Sequence, residues 1–106
     1  MSMIYQVLWQ SEAEADLKEI AFYYHQVGGL ELAERNIDRI LASIDGLQSM
    51  PERCQVSDFS ENIRKLSVYK MPYVVFFKII DDKVYLLNIF NTRRSQKILE
   101  DKYQNF

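Results

Sequence analysis

The 106-residue sequence has one cysteine and one histidine, and this shortage excludes several kinds of chemistry. Cys54 cannot form an internal disulfide, which is typical of a protein in a reducing compartment. It has no second thiol or histidine beside it, which argues against a nucleophilic role. His25 lies on a predicted helix near a glycine turn, where a partly exposed helix residue is expected. No group of residues has the spacing of a metal site, so we expect neither a metal nor a cofactor.

Long apolar runs and a targeting segment are also missing. No run approaches the roughly 20 apolar residues that span a bilayer. The first ten residues, MSMIYQVLWQ, lack the basic region and cleavage site of a signal peptide. We therefore expect a cytoplasmic protein without membrane contact. With 48% hydrophobic and 26% charged residues, the chain has the balance of a folded protein, and its length favours one domain over residues 1–106.

The small net charge of −2 hides a division between the two halves of the chain. Residues 1–62 hold four basic and eleven acidic side chains, whereas residues 63–106 hold nine basic and four acidic ones. The basic half suits an acidic partner or a phosphate backbone. A nuclease that grips ribosomal RNA usually carries a broad positive field, and the pI near 5.4 argues mildly against one.

Periodicity in the first half predicts a strand over residues 4–9 and two helices. Ser11 with Glu14 predicts a capping box at the start of the first helix. Gly28–Gly29 predicts a turn into a second helix over about residues 30–47, so the two helices form a hairpin. The predicted apolar stripes comprise Ala13, Leu17, Ile20, Tyr24, Val27, Ala33, Ile37, Ile40, Leu41, Ile44 and Leu47.

The second half predicts an antiparallel sheet. Residues 49–60 have no sustained period and are predicted to form a loop. Strands are predicted over residues 64–70, 73–80 and 84–90, with Asp81, Asp82 and Lys83 as the tight turn between the last two. A short helix is predicted from Arg93 to about Tyr103. The fold class is therefore α+β: an N-terminal strand, a helical hairpin, a three-stranded antiparallel meander and a C-terminal helix, in the order β-α-α-β-β-β-α.

This order, together with two segments of the sequence, resembles the RelE/ParE superfamily of bacterial toxins from type II toxin–antitoxin systems. The first segment, VLWQSEAEADLKEI at residues 7–20, is similar to the opening strand and the Ala-x-x-Asp-Leu-x-x-Ile helix of that superfamily. The second, RKLSVYKMPYVVFFKIIDDKVYLLNIFNTRR at residues 64–94, is similar to the ParE pattern of Pro-Tyr, two strands around an acidic turn, and a closing basic pair. The resemblance covers nearly the whole chain and implies a toxin neutralised by a cognate antitoxin.

The superfamily divides into two functional groups. RelE-like members cut messenger RNA on the ribosome with cations on the sheet and a tyrosine near the C-terminus, whereas ParE-like members are better known for poisoning DNA gyrase. By resemblance, two of the five RelE positions are kept, at Lys65 and Arg94. The other three hold Ser67, Val74 and Glu100, with Tyr103 one turn later. The resemblance therefore implies a ParE-like inhibitor that binds its target, with a RelE-like endoribonuclease or an inactive homologue that only binds antitoxin as alternatives.

The candidate target-binding residues are Arg94, Arg93, Asn91, Lys65 and Tyr69. Arg94 matches the functional arginine of the superfamily, and Asn91 stands where many relatives have histidine. Lys65 and Tyr69 fall on the polar face of their predicted strand. Arginine suits a partner that carries carboxylates, because its guanidinium group can make paired hydrogen bonds. The expected partners are an antitoxin and a target such as DNA gyrase, with the ribosome and its messenger RNA as the alternative.

Overall fold

The computed structural model describes residues 4–93, and it confirms the predicted α+β fold in that range. The strands are β1 (Gln6–Trp9), β2 (Gln55–Val56), β3 (Arg64–Ser67), β4 (Tyr73–Ile80) and β5 (Lys83–Asn91). They form one sheet in the spatial order β1-β5-β4-β3-β2, in which β1 is parallel to β5 and the other pairs are antiparallel. The predicted C-terminal helix lies outside the described residues.

The helical hairpin is confirmed by a break at Gly29. The helical element α1 spans Ser11–Asp45, and inside it Gly29 has φ 86° and ψ −176°, a conformation open essentially only to glycine. An unbroken helix of 35 residues would be about 50 Å long at about 1.5 Å per residue. The longest dimension of the molecule is 40 Å, so α1 folds back as two arms, residues 11–28 and 30–45. Two short 3₁₀ helices follow, Gly46–Gln48 and Pro51–Arg53.

The predicted capping box at Ser11 is wrong. The helix already includes Ser11, and Gln10 is the N-cap residue, without a side-chain capping bond. The N–H of Gln10 donates to the Leu86 carbonyl at 3.0 Å, and the Gln10 carbonyl accepts from the Glu14 N–H at 3.1 Å. The N-cap position is thus taken by Gln10, one residue before Ser11, so the Ser11 side chain is not placed to cap the helix.

Other predicted features also differ from the structure. The predicted loop over residues 49–60 contains a 3₁₀ helix and strand β2. The strand predicted over residues 64–70 ends at Ser67, because the chain turns over Val68–Met71. Val27, predicted to be buried, is 61% exposed, because it lies in the last turn before Gly29, beyond the residues that pack on the sheet. The predicted tight turn is confirmed at Asp81–Asp82, but Lys83, predicted to belong to it, is the first residue of β5 and pairs with Ile80.

The sheet has apolar clusters on both faces. On the inner face, which α1 covers, both arms of α1 join one core with β4 and β5; its members include Ala13, Ile20, Ile40, Ile44, Tyr73, Val75, Phe77, Val84, Leu86 and Ile89. The opposite, outer face has a smaller cluster of Ile63, Phe76, Leu87 and Phe90, with Phe59 and Val74 packed against it. A bulge lets β5 serve both clusters, because the pairing steps from Phe76–Asn88 to Phe77–Leu86 and leaves Leu87 as an extra residue.

Candidate functional site

The turn between β3 and β4 and the end of β5 form one structural unit. Within the turn, the Val68 N–H donates to the Tyr73 carbonyl at 3.0 Å, and the Met71 N–H donates to the Val68 carbonyl at 3.2 Å. The Thr92 N–H then donates to the Pro72 carbonyl at 2.8 Å. These backbone bonds fix the turn against the segment that carries Arg93. We call this unit, residues 68–72 and 91–93, the basic end of the sheet.

Two of the predicted target-binding residues, Asn91 and Arg93, lie together at the basic end. Asn91 pairs with Tyr73, so its side chain is on the inner face. Its Oδ1 accepts a hydrogen bond from the Arg93 N–H at 2.9 Å, which fixes the backbone of an arginine whose side chain is exposed. Arg94, the third predicted residue of this segment, lies outside the described residues.

Of the other two predicted residues, only Lys65 is separate from this pair. Lys65 pairs with Phe76 on the outer face, and its Nζ is 3.9 Å from Asp58 Oδ2. The sheet therefore lies between Lys65 and Asn91. Tyr69 belongs to the basic end, but it is in the turn and not on a strand face, and 73% of it is exposed. The structure thus brings Asn91, Arg93 and Tyr69 to one end of the sheet and leaves Lys65 elsewhere.

A groove of about 690 Å³ opens beside the basic end, between the first arm of α1 and the ends of β4 and β5. Its floor includes Tyr73, whose ring meets that of Tyr24 edge-on with centroids 6.5 Å apart. Burial raises the pKa of Tyr73, and a hydrogen bond with Tyr24 raises this pKa further, so the phenol stays protonated. Phe22 and Tyr23 line the groove but are 63% and 55% exposed. Arg93 also lines it, so the groove has an aromatic wall and a cationic end.

Sequence reasoning missed Asp16, which positions the end of β5. The parallel partner β1 reaches only as far as Leu86 on β5. Three residues further on, the Ile89 N–H donates to Asp16 Oδ2 at 2.8 Å, so a helix carboxylate takes the place of a strand. The signal was the Asp in the Ala-x-x-Asp-Leu-x-x-Ile motif, a carboxylate next to the buried stripe of the helix.

The described residues hold no arrangement typical of acid–base or metal chemistry. His25 is exposed on α1, and burial raises the pKa of the half-buried Cys54 thiol, which disfavours the reactive thiolate. Within residues 4–93, no three His, Cys, Asp or Glu side chains come close enough together to hold a metal ion. In the same range, no helix is both long and apolar enough to cross a membrane.

Comparison with known protein families identifies the family of this chain. The model of a family described as the ParE toxin of type II toxin-antitoxin system, parDE, matches residues 7–96. The chain belongs to the ParE toxin family. Among solved structures it is similar to a chain of the chromosomal ParDE TA system from P. aeruginosa, with a TM-score of 0.77 and 22% identity over 83% of this chain and 96% of that one. A search of curated proteins finds no match.

In this ParE-family chain, the outer face is where the resemblance to RelE-like nucleases places cationic residues. Ser67 pairs with Val74, Val74 with Phe90, and Lys65 with Phe76, so all of these positions share that face. Phe76 is 3% exposed and Phe90 7% exposed. The ring of Phe59 contacts that of Phe76 with centroids 5.2 Å apart. The described part of this face is therefore an apolar cluster flanked on one side by Lys65, which is 3.9 Å from an aspartate, and towards the β4–β5 turn by the paired Lys78 and Tyr85.

Proposed function

We propose that the protein arrests bacterial growth by binding a target through the basic end of the sheet, and that a cognate antitoxin neutralises it. Membership of the ParE toxin family supports the toxin role and implies an antitoxin partner. DNA gyrase is the target that the ParE-like character favours. The target-binding set that we propose is Arg94, Arg93, Asn91, Tyr69 and Lys65, with Arg94 in the leading role.

The observation that carries this proposal is the apolar outer face. Metal-free RNA cleavage needs a base for the 2′-hydroxyl, an acid for the leaving oxygen and cations for the charge on phosphorus. The outer face offers Lys65, held 3.9 Å from Asp58, but Ser67 and Val74 stand at the two positions where the resemblance places further cations. Lys78 and Tyr85 are on the same face but lie towards the β4–β5 turn, away from those positions. The side chains of Ser67 and Val74 cannot stabilise the charge of a phosphorane as cations would. The arrangement favours binding over catalysis.

The groove beside the basic end suits the antitoxin. Its aromatic wall exposes Phe22 and Tyr23, and Val27 and Leu30 continue this apolar surface to the tip of the hairpin at 61% and 62% exposure. A contiguous apolar surface of this kind is typical of an interaction site. An antitoxin segment that folds on binding would cover it with an apolar helix face. The rings supply the apolar contact area, and the cation of Arg93 at the end of the groove attracts acidic residues of the segment.

Controlled expression in a bacterial host tests this function. Induced alone, the protein should stop growth, and co-expression of the small protein encoded beside it should restore growth. Inhibition of gyrase supercoiling by the purified protein would identify the target as gyrase. Unimpaired growth at high soluble expression would leave an inactive homologue and refute the proposal.

Substitution of the two arginines tests the residues. Arg94→Ala should abolish growth arrest while the protein still folds and binds its antitoxin, whereas Arg93→Ala should have a milder effect. A solvated arginine contributes only about 0–1 kcal/mol, so a complete loss requires a contact with the target. Full toxicity of Arg94→Ala at matched expression would remove Arg94 from the site.

A further inference from the structure

We propose that Tyr69 and Lys70, at the tip of the β3–β4 turn, form with Arg93 a clamp for an acidic protein surface on the target. The inference rests on the proposed function and deepens it, because it names a contact element and the chemistry of its partner. The surface expected on the partner carries carboxylates around a shallow apolar pocket that accepts the Tyr69 ring.

The backbone of Lys70 is the first observation. Lys70 has φ 57°, in the left-handed region that glycine occupies without cost. The other non-glycine residues with positive φ among residues 4–93 are Met50 and Asp81. Asp81 is in a hairpin turn, where an aspartate can bond its own backbone, but a lysine has no such local bond. Residues with strained backbone conformations cluster at functional sites. A lysine at this position therefore indicates a role in binding and not in stabilising the fold.

The side chains at the tip are exposed and support each other. Tyr69 is 73% exposed, and the Lys70 Nζ lies 5.3 Å from the centroid of its ring. This cation–π contact favours the arrangement in which ring and cation lie side by side, which lowers the entropic cost of binding. Tyrosine and arginine are also enriched among the residues that dominate protein interfaces. The tip therefore presents a pre-ordered ring and cation.

The charge at the basic end is available to a partner. Neither residues 63–80 nor residues 84–99 include an acidic side chain. Lys65 and Lys83 have aspartate partners, Asp58 and Asp82, but within residues 4–93 neither Lys70 nor Arg93 forms an ion pair. Complementary carboxylates on a protein partner would supply these missing ion pairs.

A protein surface fits the tip better than a nucleic acid does. Nucleic-acid binding by charge uses a broad positive surface that neutralises many phosphates. This chain has a net charge of −2, and its described cations at the basic end are Lys70 and Arg93. Two cations beside one tyrosine match a small acidic patch with an apolar centre. The backbone bonds of the turn hold the two segments that carry these cations against each other, which favours recognition of a folded partner.

Two variants test the clamp, each with a matched control. Lys70→Gly relieves the backbone strain and removes the cation, and Asp81→Gly is its control, because it relieves the same strain at the opposite end of β4. Tyr69→Ala removes the exposed ring. Lys18→Ala removes an exposed lysine on α1 and controls for the loss of charge. Each variant is compared with the unchanged chain for thermal unfolding, antitoxin binding and growth arrest at matched soluble expression.

The proposal predicts a separation between stability and toxicity. Lys70→Gly and Asp81→Gly should both unfold at a higher temperature than the unchanged chain. Lys70→Gly and Tyr69→Ala should each weaken growth arrest by about tenfold or more in the expression level required. Asp81→Gly and Lys18→Ala should remain fully toxic, and all four variants should bind the antitoxin.

Three results would contradict the account, and each identifies what has failed. Full toxicity of both Lys70→Gly and Tyr69→Ala overturns the clamp and leaves the proposed function intact. Absence of growth arrest by the unchanged chain overturns the proposed function and the clamp with it. The third result comes from a binding measurement with a labelled DNA duplex at physiological ionic strength. If Lys70→Gly weakens duplex binding as much as it weakens growth arrest, the tip recognises phosphate, and the protein partner is refuted.

Discussion

At the scale of the residue, Asp16 shows how one side chain fixes the end of a strand. Its Oδ2 accepts the Ile89 N–H at 2.8 Å where β1 no longer accompanies β5. Ile89 is 5% exposed, so water cannot readily replace this acceptor. An unsatisfied buried N–H is expensive, and the bond also positions the segment that leads to Arg93.

Replacing Asp16 tests that role. We expect Asp16→Ala to lower the free energy of unfolding by about 1–3 kcal/mol, because the Ile89 N–H loses its acceptor. Asp16→Asn keeps an oxygen at the same place and should cost less. Asp38→Asn on the exposed side of the second arm is the control and should change little. Urea unfolding measures all three, and equal stability of Asp16→Ala and the unchanged chain would show that the bond is dispensable.

Residue identities at the site could be read from the sequence only in part. The arginines stood out because they follow an apolar strand, and Tyr69 because alternation placed it on the polar face of its predicted strand. Lys70 did not, because alternation extended the strand through it, whereas the structure ends β3 at Ser67 and turns the chain. The alternation of apolar and polar residues does not indicate that a lysine has a positive φ. The contact between Asp16 and Ile89 was equally hidden, since 73 positions separate the two residues.

At the scale of the element, the hairpin depends on one of its two glycines for its break. Gly29 has φ 86°, whereas Gly28 remains within the helix. A Cβ at Gly29 would meet no atom within 4 Å, so the obstacle there is the backbone conformation and not space. The sequence predicted the turn because paired glycines favour a turn locally. Such a local pattern can be recognised without knowledge of the tertiary structure.

A pair of glycine substitutions separates conformation from packing. Gly29→Ala should destabilise the protein by about 1–3 kcal/mol, because alanine is strained at this φ and ψ. Gly46→Ala is the control: its φ is −62° and a Cβ there meets nothing within 4 Å. It should be neutral or stabilising by up to about 1 kcal/mol. Thermal unfolding of the two variants gives the comparison, and a Gly29→Ala variant as stable as Gly46→Ala would contradict the assigned role of Gly29.

At the scale of the whole molecule, the two faces of the sheet differ in what covers them, and the acidic and basic halves of the sequence build different parts of the fold. The acidic first half builds α1, which covers the inner face and opens the groove. The basic second half builds β3, β4 and β5, and the basic end lies where β4 begins and β5 finishes. The sequence predicted the fold class because glycine breaks, alternation and the acidic turn are local. It could not predict the second apolar cluster, because the pairing of Lys65 with Phe76 and the bulge at Leu87 depend on register.

The central claim is that this ParE-family chain stops growth by binding and not by cutting RNA. Primer extension on transcripts from induced cells tests it most directly. The cells should stop growing while their messenger RNA shows no new cuts, because Ser67 and Val74 stand on the outer face where the resemblance to the nucleases places cations. Transcripts from cells that carry the empty vector are the control. Codon-specific cuts that appear with growth arrest would contradict the account and make the protein a ribosome-dependent endoribonuclease.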